Sequence, residues 1–241
     1  MPLLRRFRDS RTAACAYLIG SDTTHQAVFI DPVLDQLPLY LGVLEELDYR
    51  LACVLETHLH ADHMTAADRL REMTGALIAC SRESGVEGAD LLLDDGEVIA
   101  FGQLAFEAIA TPGHSPACLT YLCGDRLFTG DTLLIGDCGR TDEPGGLAGR
   151  LFDSIGRRLL VLPDEYLIYP GHGSEGRWVS CIGEEKRSNA LLAGIGRDEF
   201  IALNRRRQAP LPSAMDDNLA ANRRCGRRPA ADPDSLSREE P

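Results

Sequence analysis

The sequence concentrates metal-binding side chains in one short stretch. Residues 57–63 read Thr-His-Leu-His-Ala-Asp-His, so three imidazoles and one carboxylate fall within six consecutive positions: His58, His60, Asp62 and His63. Neutral imidazole nitrogens beside a carboxylate form the ligand set that zinc and non-haem iron prefer. Two of the other three histidines, His114 and His172, each follow a Pro-Gly pair, and only His25 stands apart. The cluster therefore favours a fold that brings distant turns to one metal centre.

Length and composition predict one globular catalytic domain. The chain has 241 residues, of which 44% are hydrophobic and 26% charged, as is ordinary for a folded protein of this size. We expect the domain to span residues 1–226 and residues 227–241 to form a flexible tail, because this Arg-, Pro- and Asp-rich segment has too little apolar surface to bury. The formal net charge of -12 argues against a nucleic-acid partner, whose phosphates need a basic face.

The expected location is the cytoplasm. Charged residues, Arg5 and Arg6, stand where a signal peptide needs an apolar run, and no stretch approaches the roughly 18 uninterrupted apolar residues of a membrane span. No membrane partner is therefore predicted. The eight cysteines show no CxxC spacing, so we expect reduced and mostly buried thiols rather than a disulfide framework.

Hydrophobic patterning predicts that the chain enters the histidine cluster from a buried strand. Before the cluster it predicts a hairpin, a helix and a strand buried on both faces, over residues 14–30, 37–49 and 51–55 respectively. The last of these leads directly into His58. Apolar residues at helical spacing then predict a helix over 63–73, with Asp62 as its N-cap.

The rest of the chain alternates short apolar runs with Gly- and Asp-containing turns. Strands are predicted over 77–80, 91–93, 97–99, 104–109, 118–122, 126–129 and 166–169, a helix over 147–162, and one or two helices over 184–207. His114, Asp131 and His172 each lie in a turn directly after one of these strands, so a sheet edge can bring all the candidate ligands to one point. This order of elements predicts two packed sheets flanked by helices.

The spacing of the candidate ligands resembles that of a known enzyme superfamily. Over about residues 10–175 the signature of the metallo-β-lactamase superfamily is matched by His58-x-His60-x-Asp62-His63 and the later His114, Asp131 and His172. The resemblance implies an α/β fold in which two mixed β-sheets flanked by helices form an αββα sandwich, with the metal at one sheet edge. Since the superfamily includes hydrolases, nucleases and flavodiiron proteins, this resemblance alone does not give the reaction.

Three later segments resemble one branch of the superfamily, the persulfide (sulfur) dioxygenases. They read Leu-Leu-Ile-Gly-Asp-Cys-Gly-Arg-Thr-Asp at 133–142, Leu-Ile-Tyr-Pro at 167–170 and Asn-Arg-Arg-Cys-Gly at 222–226. The resemblance implies one catalytic Fe(II) per chain, held by His58, His114 and Asp131, the ligand set of non-haem oxygenases, with zinc as an alternative metal. It further implies that O2 oxidises glutathione persulfide, or a similar low-molecular-weight persulfide, to sulfite and the free thiol. A homodimer and a sulfurtransferase partner are further expectations.

Under this resemblance the other candidate residues of the site support the iron. Four residues would orient ligands and water, or hold a second metal: His60, Asp62, His63 and His172. Arg140 is the candidate contact for a substrate carboxylate or persulfide, because a guanidinium offers a planar fork of donors. An ion pair of Arg140 with Asp142 or Asp137 explains this residue equally well. Cys138 is expected to be a buried, unreactive thiol.

The chain departs from the family pattern in two places near the expected approach of substrate. Glu143 follows the Arg-Thr-Asp run where the family usually has an aromatic residue, and residues 173–178 replace the usual Asp-Tyr after His172. These changes leave the expected iron chemistry untouched and bear on which thiol carries the persulfide. Arg177 and Trp178 are candidates for lining an altered pocket.

Two other functions use the same residues. A glyoxalase II-like thioester hydrolase would activate a hydroxide on two metals, but glyoxalase II carries a larger helical carboxyl-terminal domain than the 184–225 segment found here. A non-catalytic persulfide sensor would need an element that delivers a signal, and the sequence shows no DNA-binding helix pair or basic face. The dioxygenase is therefore the expected function, with the hydrolase as its alternative.

Overall fold

The described residues form two six-stranded sheets, and in the first sheet neighbouring strands are consecutive in the chain. The computed structural model describes residues 2–173, 176–207 and 210–228. The strands of this sheet lie side by side in chain order: β1 (Leu3–Arg8), β2 (Cys15–Ser21), β3 (Gln26–Ile30), β4 (Arg50–Leu55), β5 (Leu77–Ser81) and β6 (Leu91–Leu93). β1 to β3 are antiparallel neighbours, whereas β3 to β6 run parallel. The predicted hairpin is β2 and β3.

The second sheet is also mixed. Its strands are β7 (Val98–Phe101), β8 (Leu104–Ala110), β9 (Leu119–Cys123), β10 (Arg126–Gly130), β11 (Leu167–Pro170) and β12 (Ser180–Cys181). They lie in the reverse of chain order across the sheet, from β12 to β7. β10 and β11 are parallel, and the other neighbours are antiparallel.

Helices cover the outer faces of both sheets. They are α1 (Leu37–Glu46), α2 (Ala67–Thr74), α3 (Ala148–Ser154), α4 (Ile182–Ser188), α5 (Arg197–Arg206) and α6 (Met215–Asn222), and α3 continues into a π-helical turn at Ile155–Leu159. Among the described residues no helix is long and apolar enough to cross a membrane.

Three apolar clusters hold the layers together. Between the sheets, Tyr17 of β2 packs against Phe128 and Tyr169 of the second sheet, with ring centroids 5.3 and 5.8 Å apart. The next residue along β2, Leu18, points to the opposite face and belongs to a cluster with Tyr40 of α1 and other residues of α1 and α2. This alternation follows from the two-residue period of a strand and lets one strand serve two cores.

The third cluster covers the outer face of the second sheet. Leu127 and Ile168 of β10 and β11 pack with Leu151 of α3 and Phe200 of α5, and all four side chains are buried. The layer order is therefore helix, sheet, sheet, helix, and the predicted αββα sandwich of two mixed sheets is confirmed.

The sequence predicted most elements but misplaced the start of α2. That helix begins at Ala67 with Ala66 as its N-cap and without a side-chain cap, so the prediction of a helix from residue 63 capped by Asp62 is wrong. Residues 64–66 are instead held by partners elsewhere: the amide of Thr65 donates to the side chain of Asn222, and the amide of Ala66 donates to the carbonyl of Pro32. Neither β12 nor α6 was predicted.

The predicted boundary between domain and tail lies at the end of the described chain. Arg227, assigned to the tail, donates two hydrogen bonds of 2.6 and 2.8 Å to the buried carboxylate of Asp68. These contacts fasten residue 227 to α2. Residues 229–241 of the predicted tail lie outside the described residues, and the domain boundary stays a prediction.

Parallel pairing decides where the functional residues lie. β3 and β4 are parallel neighbours in one sheet, and β10 and β11 are parallel neighbours in the other. The carboxyl ends of parallel strands meet at one edge, so Asp31 and His58 follow one pair closely, while Asp131 and His172 follow the other. The fold therefore assembles the histidine cluster and the later candidates at a common edge of the sandwich.

Candidate metal centre

His58, His114 and Asp131 come together from three separate loops. His58 follows β4, His114 lies in the turn between β8 and β9, and Asp131 follows β10. One ligand atom from each lies within 4.8 Å of the others, and His114 Nε2 is 3.8 Å from Asp131 Oδ2. All three are largely shielded from solvent, and the two imidazoles are buried. Two imidazoles and one carboxylate at this separation fit one transition-metal ion.

Hydrogen bonds on the far side of each imidazole turn a lone pair toward the centre. His114 Nδ1 donates to the carbonyl of Arg140 at 2.8 Å, so the neutral ring carries its lone pair on Nε2. Thr57 gives its hydroxyl proton to Asp31 at 2.7 Å, and its oxygen then accepts from His58 Nδ1 at 2.8 Å. Such partners fix the tautomer and ring orientation of metal-binding histidines.

Burial keeps one of these imidazoles uncharged. Desolvation, followed by the neighbouring His60 and His114, holds the pKa of His58 well below its usual value. A neutral imidazole is the form that binds metal, so the pKa shift of His58 suits it for this role.

Asp131 is held in its ionised form by a charged histidine. His172 donates from Nδ1 to Asp131 at 2.6 Å and from Nε2 to Asp62 at 3.0 Å, so both ring nitrogens carry protons. Burial alone would lower the pKa of His172, but the two carboxylates outweigh it and raise that pKa well above its usual value. Burial likewise opposes ionisation of Asp131, yet His172, His114 and His58 hold its pKa well below its usual value.

A second group of potential ligands lies beside the first: His60, Asp62 and His63. Their ligand atoms also lie within 4.8 Å of one another. His63 donates from Nδ1 to Asp62 at 3.1 Å, and His60 Nε2 lies 3.1 Å from Glu56, yet His63 Nε2 and His60 Nδ1 are buried without a hydrogen-bond partner among the residues that the structure describes. Unpartnered buried nitrogens favour a bound group there, so the residues present fit one metal at the first cluster and can also accommodate a second.

Two asparagines of α6 fasten the histidine loop, a role that sequence reasoning missed. Asn222 Nδ2 donates to the carbonyls of His60 and His63, each at 2.8 Å, while its oxygen accepts from the amide of Thr65 at 3.0 Å. One turn earlier, Asn218 Nδ2 donates to the carbonyl of Ala61 at 2.9 Å. The Asn-Arg-Arg-Cys-Gly run at 222–226 contributes to the family resemblance, but nothing in the local sequence indicates that it lies beside the histidine cluster.

Arg140 contributes to the site through both its main chain and its side chain. Its carbonyl orients His114, and its guanidinium grips Asp142 with hydrogen bonds of 2.6 and 2.8 Å. Of the two ion-pair partners considered, Asp142 is the one observed, because Asp137 binds Arg207 instead at 2.8 Å. The guanidinium also lies 3.7 Å from Glu143 Oε1, and the other oxygen of Glu143 lies 3.9 Å from His114 Nε2.

The cysteine of the same run is sequestered. Cys138 is buried, and desolvation raises the pKa of its thiol to about 12. Such a thiol has little thiolate at neutral pH, as expected for an unreactive cysteine. All eight cysteines are free, and six of them are buried.

The two departures from the family pattern occupy different places. Glu143 lies at the metal centre, with Oε2 3.9 Å from His114 Nε2. Arg177 lines a cavity with His172, whereas Trp178 packs against Tyr169 with ring centroids 6.0 Å apart. His25, the histidine left out of the predicted site, is exposed and lies next to Asp48.

Comparison with known proteins gives the family. The metallo-β-lactamase superfamily model matches residues 14–172. The human protein named mitochondrial persulfide dioxygenase ETHE1 is 40% identical over 227 residues, covering 93% of this chain and 89% of the human protein. The hydroxyacylglutathione hydrolase GloC of Haemophilus influenzae is 35% identical over 194 residues, covering 71% of this chain and 89% of that protein.

The fold comparison agrees with the sequence comparison. The crystal structure of ETHE1 from Myxococcus xanthus superposes with a TM-score of 0.91 at 46% sequence identity, covering 93% of this chain and 99% of that one. Identity and the share of this chain that is covered are both higher for the persulfide dioxygenases than for the hydrolase, so the hydrolase alternative is not favoured. The chain therefore belongs to the persulfide dioxygenase family of the metallo-β-lactamase superfamily.

Proposed function

We propose that this enzyme oxidises a low-molecular-weight persulfide, such as glutathione persulfide, using one Fe(II) held by His58, His114 and Asp131. The observation that carries the proposal is the convergence of these three side chains from separate loops to within 4.8 Å. Two histidines and one carboxylate leave positions open for substrate and O2 on a non-haem iron. Membership of the dioxygenase family supports the same reaction.

The overall reaction balances with water as co-reactant. One persulfide, one O2 and one water give one free thiol and one sulfurous acid, which ionises to sulfite. The terminal sulfur is oxidised and its bond to the carrier sulfur breaks. When bound, Fe(II) supplies the electrons that activate O2 and a Lewis-acid position for the terminal sulfur.

The protein's own residues prepare the ligand atoms for this chemistry. The carbonyl of Arg140 and the hydroxyl of Thr57 hold the two imidazoles with Nε2 facing the centre. His172, protonated on both nitrogens, keeps Asp131 ionised and leaves Asp131 Oδ2 facing His114. The same His172 joins Asp131 to Asp62 of the histidine loop through two hydrogen bonds.

We propose that His60, Asp62, His63 and His172 orient ligands and water rather than complete a second metal site. In support, both oxygens of Asp62 already accept hydrogen bonds, from His63 and His172. His60 Nε2 likewise faces Glu56 and Asp31, at 3.1 and 3.3 Å. A second metal bound through His60 Nδ1 and His63 Nε2 would still need Asp62 as a ligand, and both oxygens of Asp62 are already engaged.

We further propose that Arg140 contacts the substrate. Its pair with Asp142 is partly exposed, with side chains 23% and 44% accessible. The pair is bidentate, so an anionic group of the substrate must offer an equally good pair of acceptors to replace Asp142 as the partner. The persulfide anion and a carrier carboxylate are both suitable anions.

Metal analysis of the purified protein tests the ligand assignment. The proposal predicts close to one iron per chain. Two metals per chain, zinc or mixed, would instead support the binuclear thioester hydrolase, because the second cluster would then be filled. Zinc in place of iron at a stoichiometry of one would indicate an adventitious metal, and reloading with Fe(II) must then restore O2 consumption.

Three finer expectations remain proposals: a cytoplasmic location, a homodimer and a sulfurtransferase that supplies the persulfide. The free state of all eight cysteines supports a reducing compartment such as the cytoplasm. The reaction itself requires a persulfide donor, and transfer of a sulfane sulfur to a thiol is the reaction class that makes one. Native mass spectrometry of the purified protein would show whether it dimerises.

A further inference from the structure

A small cavity of about 160 Å³ adjoins the metal centre through Glu143, whose Oε2 lies 3.9 Å from His114 Nε2. Its walls include the residues that directly follow His58 and His114, the turn after Asp142, and one face of α6: Leu59, Ser115, Glu143, Pro144, Leu219 and Arg223. We propose that this cavity receives the carrier of the persulfide and that its charges select a small zwitterion, an α-amino-acid persulfide, over a tripeptide. The inference rests on the proposed dioxygenase function and names the substrate class of that site.

Glu143 supplies a negative charge at the inner end of the cavity. Its side chain is only 12% accessible, with Oε2 3.9 Å from His114 Nε2 and Oε1 3.7 Å from Arg140 Nε. Neither oxygen accepts a hydrogen bond from a residue that the structure describes. A largely buried carboxylate without a donor is costly, and a ligand ammonium group would supply the missing donors.

Arg223 supplies a positive charge to the same cavity. It caps the carboxyl end of α6 and is exposed, and its guanidinium makes no ion pair with any described residue. A guanidinium offers two parallel donors to a carboxylate. With an ammonium at Glu143 and a carboxylate at Arg223, an α-amino acid would satisfy both charges and leave its persulfide beside the metal ligands.

Charge balance disfavours a carrier with two carboxylates. The exposed Glu83 also lines the cavity, so two carboxylates face one guanidinium there. Glutathione carries two carboxylates and one ammonium, and Arg223 can pair with only one of the carboxylates. The second carboxylate would have to displace Asp142 from Arg140 or lie against Glu83 or Glu143, whereas an α-amino acid requires neither.

Size points in the same direction. The cavity of about 160 Å³ is smaller than the roughly 300–1,000 Å³ of sites that enclose drug-sized ligands such as a tripeptide. Larger cavities of about 570 and 750 Å³ exist among the described residues, but they are lined by Asp62 and His63 and by His172 respectively. Those cavities border Asp62, His63 and His172, whereas the smaller one is lined by Glu143, which lies 3.9 Å from the candidate ligand His114.

Equilibrium binding of unreactive analogues tests the inference without turnover. S-methyl-L-cysteine and S-methylglutathione would be titrated into the anaerobic iron-loaded protein by isothermal calorimetry. We expect S-methylcysteine to bind about tenfold more tightly, equivalent to about 1.4 kcal/mol. Glu143→Gln and Arg223→Gln should each weaken S-methylcysteine binding by about tenfold, while Arg224→Gln, which alters an exposed neighbour 3.9 Å from Glu87, should leave the affinity unchanged.

Several outcomes would overturn the inference. Tighter binding of S-methylglutathione to the wild-type protein would show that the carrier uses a larger cavity. Unchanged affinity in both Glu143→Gln and Arg223→Gln, with folding verified by circular dichroism, would show that the charges do not select the carrier.

Parallel oxygen-uptake measurements with cysteine persulfide and glutathione persulfide separate this inference from the proposed function. No uptake with either persulfide would remove the dioxygenase proposal, while the analogue affinities would still decide what the cavity binds. A higher kcat/KM for glutathione persulfide would remove only the inference about the carrier.

Discussion

Charge state distinguishes the histidines of this site from one another. His58 is buried among other imidazoles, so its pKa falls, whereas His172 is buried between two carboxylates, so its pKa rises. The first is therefore prepared to bind a metal ion, and the second to act as a cation that holds Asp131 and Asp62 together. The sequence predicted that both histidines belong to the site. It could not predict which would be charged, because that depends on neighbours from other loops.

The charge of His172 predicts a pH dependence of stability in the metal-free protein. Its folded pKa lies above the unfolded value of about 6.5, so its stabilisation is fully present below that pH and is lost as pH rises through the folded pKa. Each proton retained only by the folded state gives a slope of about 1.4 kcal/mol per pH unit. Denaturant unfolding between pH 6 and 8.5 should show this decline in the free energy of unfolding. In His172→Gln the slope of that decline should be smaller by the contribution of about one proton. An identical slope in the variant would contradict the charge assignment.

The two roles of Arg140 can be separated by substitution. Arg140→Ala keeps the carbonyl that orients His114, so iron content should stay the same. Loss of one charge-assisted hydrogen bond to the substrate, about 1.5–3 kcal/mol, should raise KM by about tenfold or more. His114→Ala, as the matched comparison, should abolish iron binding. Lower stability of Arg140→Ala with unchanged kinetics would mean that the pair with Asp142 is only structural.

Among the elements of the fold, α6 and the loop before α2 depend on each other. The sequence favoured a helix from residue 63, since local apolar spacing was all that it offered. In the folded chain, the side chain of Asn222 accepts a hydrogen bond from the amide of Thr65 and donates to the carbonyls of His60 and His63. These groups are therefore not available for helical hydrogen bonds in this segment. Strands ending at the site were predicted well because their apolar runs are local, whereas this contact spans 157 residues.

Removing the hydrogen bonds of Asn222 should weaken both the fold and the binding of iron. Asn222→Ala leaves two carbonyls and one amide of a buried loop without their partner, which should lower the free energy of unfolding by about 2–4 kcal/mol. Residues that orient metal ligands typically affect affinity by about 10–100-fold, and iron affinity should fall within that range. As a control, Asn204→Ala removes a buried asparagine whose side chain bonds the carbonyl of Phe200 and the thiol of Cys138, neither of which belongs to the histidine loop, and should lower stability without changing iron affinity. Equal iron affinity in a folded Asn222→Ala protein would refute the positioning role.

At the scale of the whole molecule, the two sheets bring the candidate ligands together, while residues 143–144 and α6 form the walls of the adjoining cavity. The αββα architecture and the family could be predicted from local patterns, because the strands are continuous apolar runs and the ligand motif has a distinctive spacing. The cavity lined by Glu143 and Arg223 could not be predicted from the sequence. It forms where residues 143–144 meet α6, and the packing of those two segments leaves no periodic signal in the sequence.

An oxygen-electrode assay of the iron-loaded protein, run beside a glutathione thioester hydrolysis assay, distinguishes the dioxygenase from the hydrolase. We expect uptake of one O2 per sulfite formed when glutathione persulfide or cysteine persulfide is added, and no cleavage of the thioester. Absence of oxygen uptake with both persulfides, together with cleavage of the thioester, would contradict the proposed dioxygenase function.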